Sequence, residues 1–144
     1  MPLSQRLIDL IEKNADALTK AWLNDVRKHP DTVTYHRFDE KMLYDRAFAV
    51  YSQIGTWVSR KTTKDDIAKF YKALGKERRK EGFELSEVIY ALVLTKRHLW
   101  LKVLSDGLLD SALDLHKALE LNNRVVLFFD RAFFYTTAGY MEED

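Results

Sequence analysis

Apolar residues recur every three or four positions along almost the whole chain, the spacing that puts them on one face of a helix. Over residues 4–28 the face is Leu7, Leu10, Ile11, Leu18, Trp22 and Val26. From about 39 to 59 it is Leu43, Ala47, Tyr51, Ile54 and Val58. Each stretch is expected to be one helix with that face in the core. HPDTVTYHRF, residues 29–38, separates them, because Pro30 disfavours helix at His29. Asp39 is placed to cap the second helix, with Phe38 and Leu43 as a hydrophobic staple across the cap.

The third helix, about 64–81, carries a narrow stripe of Ile67, Phe70, Tyr71 and Leu74 among lysine, arginine and glutamate. Thr63 with Asp66 forms a variant capping box at its start. KERRKE, residues 76–81, reads as a solvated helix end. Gly82 is placed to stop the helix in the left-handed conformation, and Phe83 can fold back onto the core. The fourth helix, 86–105, with Ser86 as its cap and Glu87 in its first turn, is apolar almost all round and is expected to be central. The last helical stretch, about 109–140, shows Leu115, Leu119, Val126, Phe129 and Phe133 on one face and Phe128, Ala132 and Tyr135 beside them. Asn122-Asn123 marks an expected kink or break. An apolar surface this wide suggests a dimer, with Phe128, Phe129, Ala132, Phe133 and Tyr140 as the candidate interface.

No alternating run of useful length suggests a strand. The reading is an all-α, compact bundle of five to six helices with a long C-terminal helix, in one domain spanning 1–144.

Composition narrows the function classes. With 23 Lys+Arg against 22 Asp+Glu the chain lacks the basic excess of a nucleic-acid binder. It has no cysteine, which excludes disulfides, thiolate catalysis and cysteine-held metal. No apolar run is long enough for a membrane span, and the charged, amphipathic N-terminus is not a secretory signal. A cytoplasmic location is expected.

Candidate chemistry is sparse. G-x-S-x-G, Walker, G-x-G-x-x-G and H-E-x-x-H motifs are all missing, so no enzyme is expected. His98, on the apolar fourth helix, is either a haem ligand or a histidine hydrogen-bonded at the core edge. Arg97, if buried, needs a partner from another helix or a bound anion. His29 and His36, with Asp31 and Asp39, have no diagnostic metal spacing, and no metal is expected. DRAF occurs at 45–48 and 130–133 with unmatched flanks, which points to chance or convergent helix patterning more than to duplication.

LGKERRKEGFELSEVIYALVLTKRHLW, residues 74–100, followed downstream by FFDRAFFYTTAGY, 128–140, resembles the RsbRD N-terminal domain family. That family forms the input module of RsbT co-antagonist proteins and of some sensor histidine kinases. The resemblance implies a helical sensory domain near the haem-free globin-like modules of the stressosome. Such domains receive a signal, often as dimers, and pass it through a C-terminal helix to an output domain or a kinase or STAS-type partner. It carries over no catalytic residues. Glu87, Arg97, His98 and Trp100 are then the candidate signalling or pocket residues, with no cofactor expected. A haem or tetrapyrrole sensor using His98 is the alternative. No output domain follows GYMEED, so an excised domain and a stand-alone protein both stay open.

Overall fold

The computed structural model describes residues 3–106 and 112–142. Among them the chain forms α1 (Leu3–Lys13), α2 (Ala15–Val26), a 3-10 turn (Val33–His36), α3 (Glu40–Ser52), α4 (Ile54–Trp57), α5 (Lys64–Lys80), α6 (Leu85–Ser105) and α7 (Ala112–Met141). The described residues contain no strand, and the long C-terminal helix is present as expected.

Two expected helices are each divided. At Asn14 the side-chain amide donates to the Leu10 carbonyl at 2.7 Å, so a side chain competes with the backbone ladder and α1 gives way to α2. At Gln53 the backbone leaves helical geometry, and α4 is held to α1 by the Gly55 N–H donating to Glu12 at 3.0 Å. The core faces survive these divisions. Leu7, Ile11, Leu18, Trp22 and Val26 are buried, and so are Leu43, Ala47, Tyr51, Ile54 and Val58.

α5 begins and ends as its sequence indicates. The Thr63 hydroxyl accepts from the Asp66 N–H at 3.1 Å, and the Asp66 carboxylate accepts from the Thr63 N–H at 3.0 Å. At the other end Gly82 takes φ +91°. The Phe83 N–H then reaches the Arg78 carbonyl and the Gly82 N–H the Arg79 carbonyl, both at 3.1 Å. This crossed pair satisfies carbonyls that the helix end would strand. It turns Phe83 inward against Tyr35 and Phe38.

Four expectations are corrected. The cap of α6 is Glu84, not Ser86, because the Glu87 carboxylate reaches back to the Glu84 N–H at 3.1 Å and starts the helix earlier. α6 is not covered all round. Its Val88, Ala91, Leu94, Leu99 and Val103 are buried, but Arg97, Leu101 and Leu104 are exposed, because α7 packs mainly along α5. Phe70 lies outside the buried stripe of α5. The helix of α7 continues through Asn122-Asn123, since Leu121 and Val125 are buried on either side and an interior Asn costs only about 0.7 kcal/mol against Ala. The expected helical start at 109–111 lies outside the described residues.

α5 and α7 form the most extensive helix pair. Gly75 and Gly139 are both buried where the two backbones meet. The pair is tied at its far end as well. The Tyr140 hydroxyl donates to the Phe83 carbonyl at 2.6 Å, Arg79 donates to the Tyr140 and Glu142 carbonyls, and Lys76 pairs with Glu142 at 2.6 Å.

Candidate functional site

α6 sends its polar groups to different neighbours. Near its start, Glu87 accepts from the Thr34 N–H at 2.6 Å and the Thr34 hydroxyl at 2.7 Å, fixing the 3-10 turn to the helix. Burial opposes the charge on Glu87, but these bonds and the one from Glu84 outweigh it and hold the carboxyl below its ordinary range. In mid-helix the Trp22 indole donates to the Ala91 carbonyl at 2.9 Å and the Tyr51 hydroxyl to the Thr95 carbonyl at 2.8 Å. One turn further on, His98 Nε2 lies 2.9 Å from the Asp25 carboxylate.

Between α2, α3, α5, α6 and α7 the packing leaves an interior cavity of about 60 Å³. Most of its wall is apolar, with Trp22, Leu43, Ala47, Val88, Ala91 and Phe129 among the lining residues. Tyr35, Tyr71, Arg46 and Arg78 add polar groups to that wall. An open groove of about 610 Å³ runs along the outside of α5 and shares Arg46, Leu74 and Arg78 with the cavity. These three side chains therefore form the partition between interior and surface.

The partition is an ion cluster. Arg46 spans both Glu81 oxygens and also reaches Glu77 at 3.2 Å, while Arg78 Nη1 donates to Glu81 at 3.1 Å. The Arg46 guanidinium sits 5.1 Å from the centre of the Phe38 ring. Arg78 is almost fully buried, and desolvation together with the Arg46 cation pulls its pKa down. Burial pushes the Tyr35 and Tyr71 hydroxyls well above the ordinary tyrosine range, so both are neutral at pH 7.

The candidate residues read from sequence do not converge. Glu87 and His98 are anchors to different neighbours, Arg97 is exposed, and the half-buried Trp100 has a buried indole N–H with no partner among the described residues. The residues offered for haem do not fit it. His98 Nε2 is held by Asp25, His98 lines none of the described cavities, and the interior cavity is far below the roughly 300 Å³ at which ligand pockets begin. In the 29–39 loop, His36 Nε2 bonds the His29 carbonyl and His29 Nδ1 accepts from the Asp31 N–H. The candidate dimer residues lie largely inside the protomer. Phe128, Phe129 and Ala132 are in its core, Phe133 packs beside Lys96, and Tyr140 holds Phe83. The apolar residues that α7 leaves outside are Leu113, Leu115, Leu119, Leu127, Phe134 and Met141.

Arg46, Arg78 and Tyr35 escaped the sequence reading. One signal was available. Ile67, Tyr71, Leu74, Gly75 and Arg78 continue a single helical stripe, so the periodicity itself carries Arg78 inward.

A family profile described as the RsbT co-antagonist protein rsbRD N-terminal domain matches residues 16–144. No curated protein and no solved structure matches the chain.

Proposed function

The chain belongs to the RsbT co-antagonist protein rsbRD N-terminal domain family, and we propose that it serves as a non-enzymatic signal-input domain of a bacterial stress-response or two-component protein. In this reading it acts by protein–protein contact, in the cytoplasm, on a kinase or STAS-type output element. The coarser part follows from the family, which is regulatory. No helix among the described residues is long and apolar enough to cross a membrane.

One observation carries the reading. α7 contributes Phe129 to the interior cavity and leaves Leu119, Leu127 and Phe134 exposed along its length. A single rigid element thus touches both the inside of the domain and its surroundings. A small shift of α7 against α5 would carry a change in the core to a bound partner, the kind of rigid-body step that packed interfaces support. We further propose that a second copy of the chain covers the exposed face of α7.

Light scattering coupled to size exclusion tests the dimer. A mass of two chains that falls to one in Leu119→Lys/Leu127→Lys supports it, and a monomeric wild type overturns it.

A further inference from the structure

We propose that the pocket between the α4–α5 connection and α7 binds a small phosphate monoester, its phosphoryl group held by Arg60, Arg124 and Arg131.

Two segments bring the arginines together. Arg60 comes from the connection, residues 58–63, and Arg124, Leu127 and Arg131 come from α7 at the three- and four-residue spacing that puts them on one face. Apolar lining is supplied by Trp57, Ile67 and Phe128, with the Trp57 and Phe128 rings 5.4 Å apart. The pocket is open to solvent and measures about 380 Å³.

Unfilled hydrogen-bonding capacity marks this place. Arg124 Nε is buried without a partner among the described residues. Trp100 Nε1 and Thr136 Oγ1 share that condition, but of the three residues Arg124 is the one that lines a described pocket. Neither Arg124 nor Arg131 makes an ion pair among the described residues. Glu120, one turn before Arg124 on α7, pairs with Arg60 instead, at 3.6 Å. Both members of that pair are well exposed, so the contact adds little and leaves Arg60 free to turn to a ligand. Buried N–H groups in folded proteins are almost always paired, so an orphaned Nε in a pocket lined by cations points to an acceptor that the protein does not supply.

The kind of acceptor follows from the groups. A guanidinium has donors only, and its planar fork fits the oxygens of a phosphoryl group. Three arginines against the single carboxylate of Glu120 leave two positive charges on the wall. A phosphate monoester carries nearly two negative charges at neutral pH and three acceptor oxygens, whereas a monocarboxylate brings one charge and two oxygens. Lysine is the commoner cation in this chain, yet none lines the pocket. The volume lies within the range of small-molecule sites, which begins near about 300 Å³, so a body beside the phosphoryl group has room against Trp57 and Leu127. The claim does not use the function proposed above.

The experiment is titration of the ¹⁵N-labelled protein, in phosphate-free buffer at about pH 7.5, where the phosphoryl group is mostly doubly charged. Phenyl phosphate, benzenesulfonate and inorganic phosphate are added in separate series. Saturable shifts are expected with phenyl phosphate at residues 57–62 and 120–131. Benzenesulfonate keeps the ring and three oxygens with one charge fewer, and should bind at least about ten-fold more weakly. Inorganic phosphate lacks the body and should bind the same residues, also about ten-fold more weakly. Arg124→Lys keeps the charge but loses Nε and the fork, and should bind phenyl phosphate about ten-fold more weakly. Arg60→Gln, at an exposed position where folding is not at stake, should show a similar loss. No saturable shift with phenyl phosphate, equal binding of benzenesulfonate, or unchanged affinity in Arg60→Gln would overturn the proposal. Inorganic phosphate binding as tightly as phenyl phosphate would overturn the monoester and make free phosphate the ligand.

Discussion

Gly75 and Gly139 allow α5 and α7 to meet backbone to backbone. A Cβ on Gly75 would lie 2.1 Å from the Thr136 carbonyl oxygen, and a Cβ on Gly139 would lie 2.1 Å from that of Lys72. Both obstacles are backbone atoms, so no side chain can swing aside. Either alanine substitution must drive the helices apart. Gly139→Ala and Gly75→Ala should each destabilise the fold by about 3 kcal/mol or more, despite alanine's higher helix propensity. Urea denaturation measures this, and an unchanged midpoint in either variant would refute the close crossing.

Glu87 ties three donors from two segments, and its folded-state pKa is lowered. A lowered carboxyl stabilises the fold fully above its unfolded value of about 4.3, and that contribution disappears as pH falls through the folded value. Glu87→Gln should therefore cost about 2 kcal/mol at neutral pH. The deficit should shrink as pH drops below about 4. Denaturation curves for both proteins at pH 7 and in the acid range would show it, and a pH-independent deficit would contradict it.

His98 and Asp25 hold α6 to the end of α2. Removing the ring in His98→Ala should cost about 1 kcal/mol, the usual net worth of one such bond. The change should leave the visible spectrum untouched, because the ring is committed to Asp25. Haem titration followed near the Soret region checks the second point. A band in the wild type that vanishes in His98→Ala would restore the haem reading.

The helical class and most core faces were legible because they depend on local spacing, which a linear sequence displays directly. Gly82 was legible for a similar reason: a glycine after a charged helix and before Phe83 has one obvious use. The site was not. Arg78 sits in the run KERRKE, which composition alone assigns to solvent, yet Ile67, Tyr71 and Leu74 set a stripe that carries it inward. Arg97 shows the converse. Its apolar neighbours suggested burial, but α6 is covered on one broad face only, and α7 packs on α5, where Gly75 lies against the Thr136 and Tyr140 backbone and Gly139 against that of Lys72. Partner choice of that kind is a tertiary property. It also explains why Phe128, Phe129 and Ala132, which looked like spare apolar surface, were needed within the protomer.

The exposed face of α7 should govern self-association without supporting the fold. Leu119→Lys and Leu127→Lys, at positions about half exposed, should change stability by no more than about 0.5 kcal/mol. Thermal unfolding at low protein concentration, where the dimer is dissociated, separates the two effects. A large loss of monomer stability would mean that these leucines belong to the protomer core.

The most direct test of the account asks whether the interior speaks to α7. Ala47→Leu adds bulk to the cavity from α3 without using any ligand. Hydrogen exchange along residues 118–141 would be compared with wild type, alongside a destabilised control of equal global stability altered outside the cavity. The account expects protection in α7 to change around Phe129 and onward to Thr136 and Gly139, beyond anything in the control. Changes confined to α3 and its immediate neighbours would contradict it.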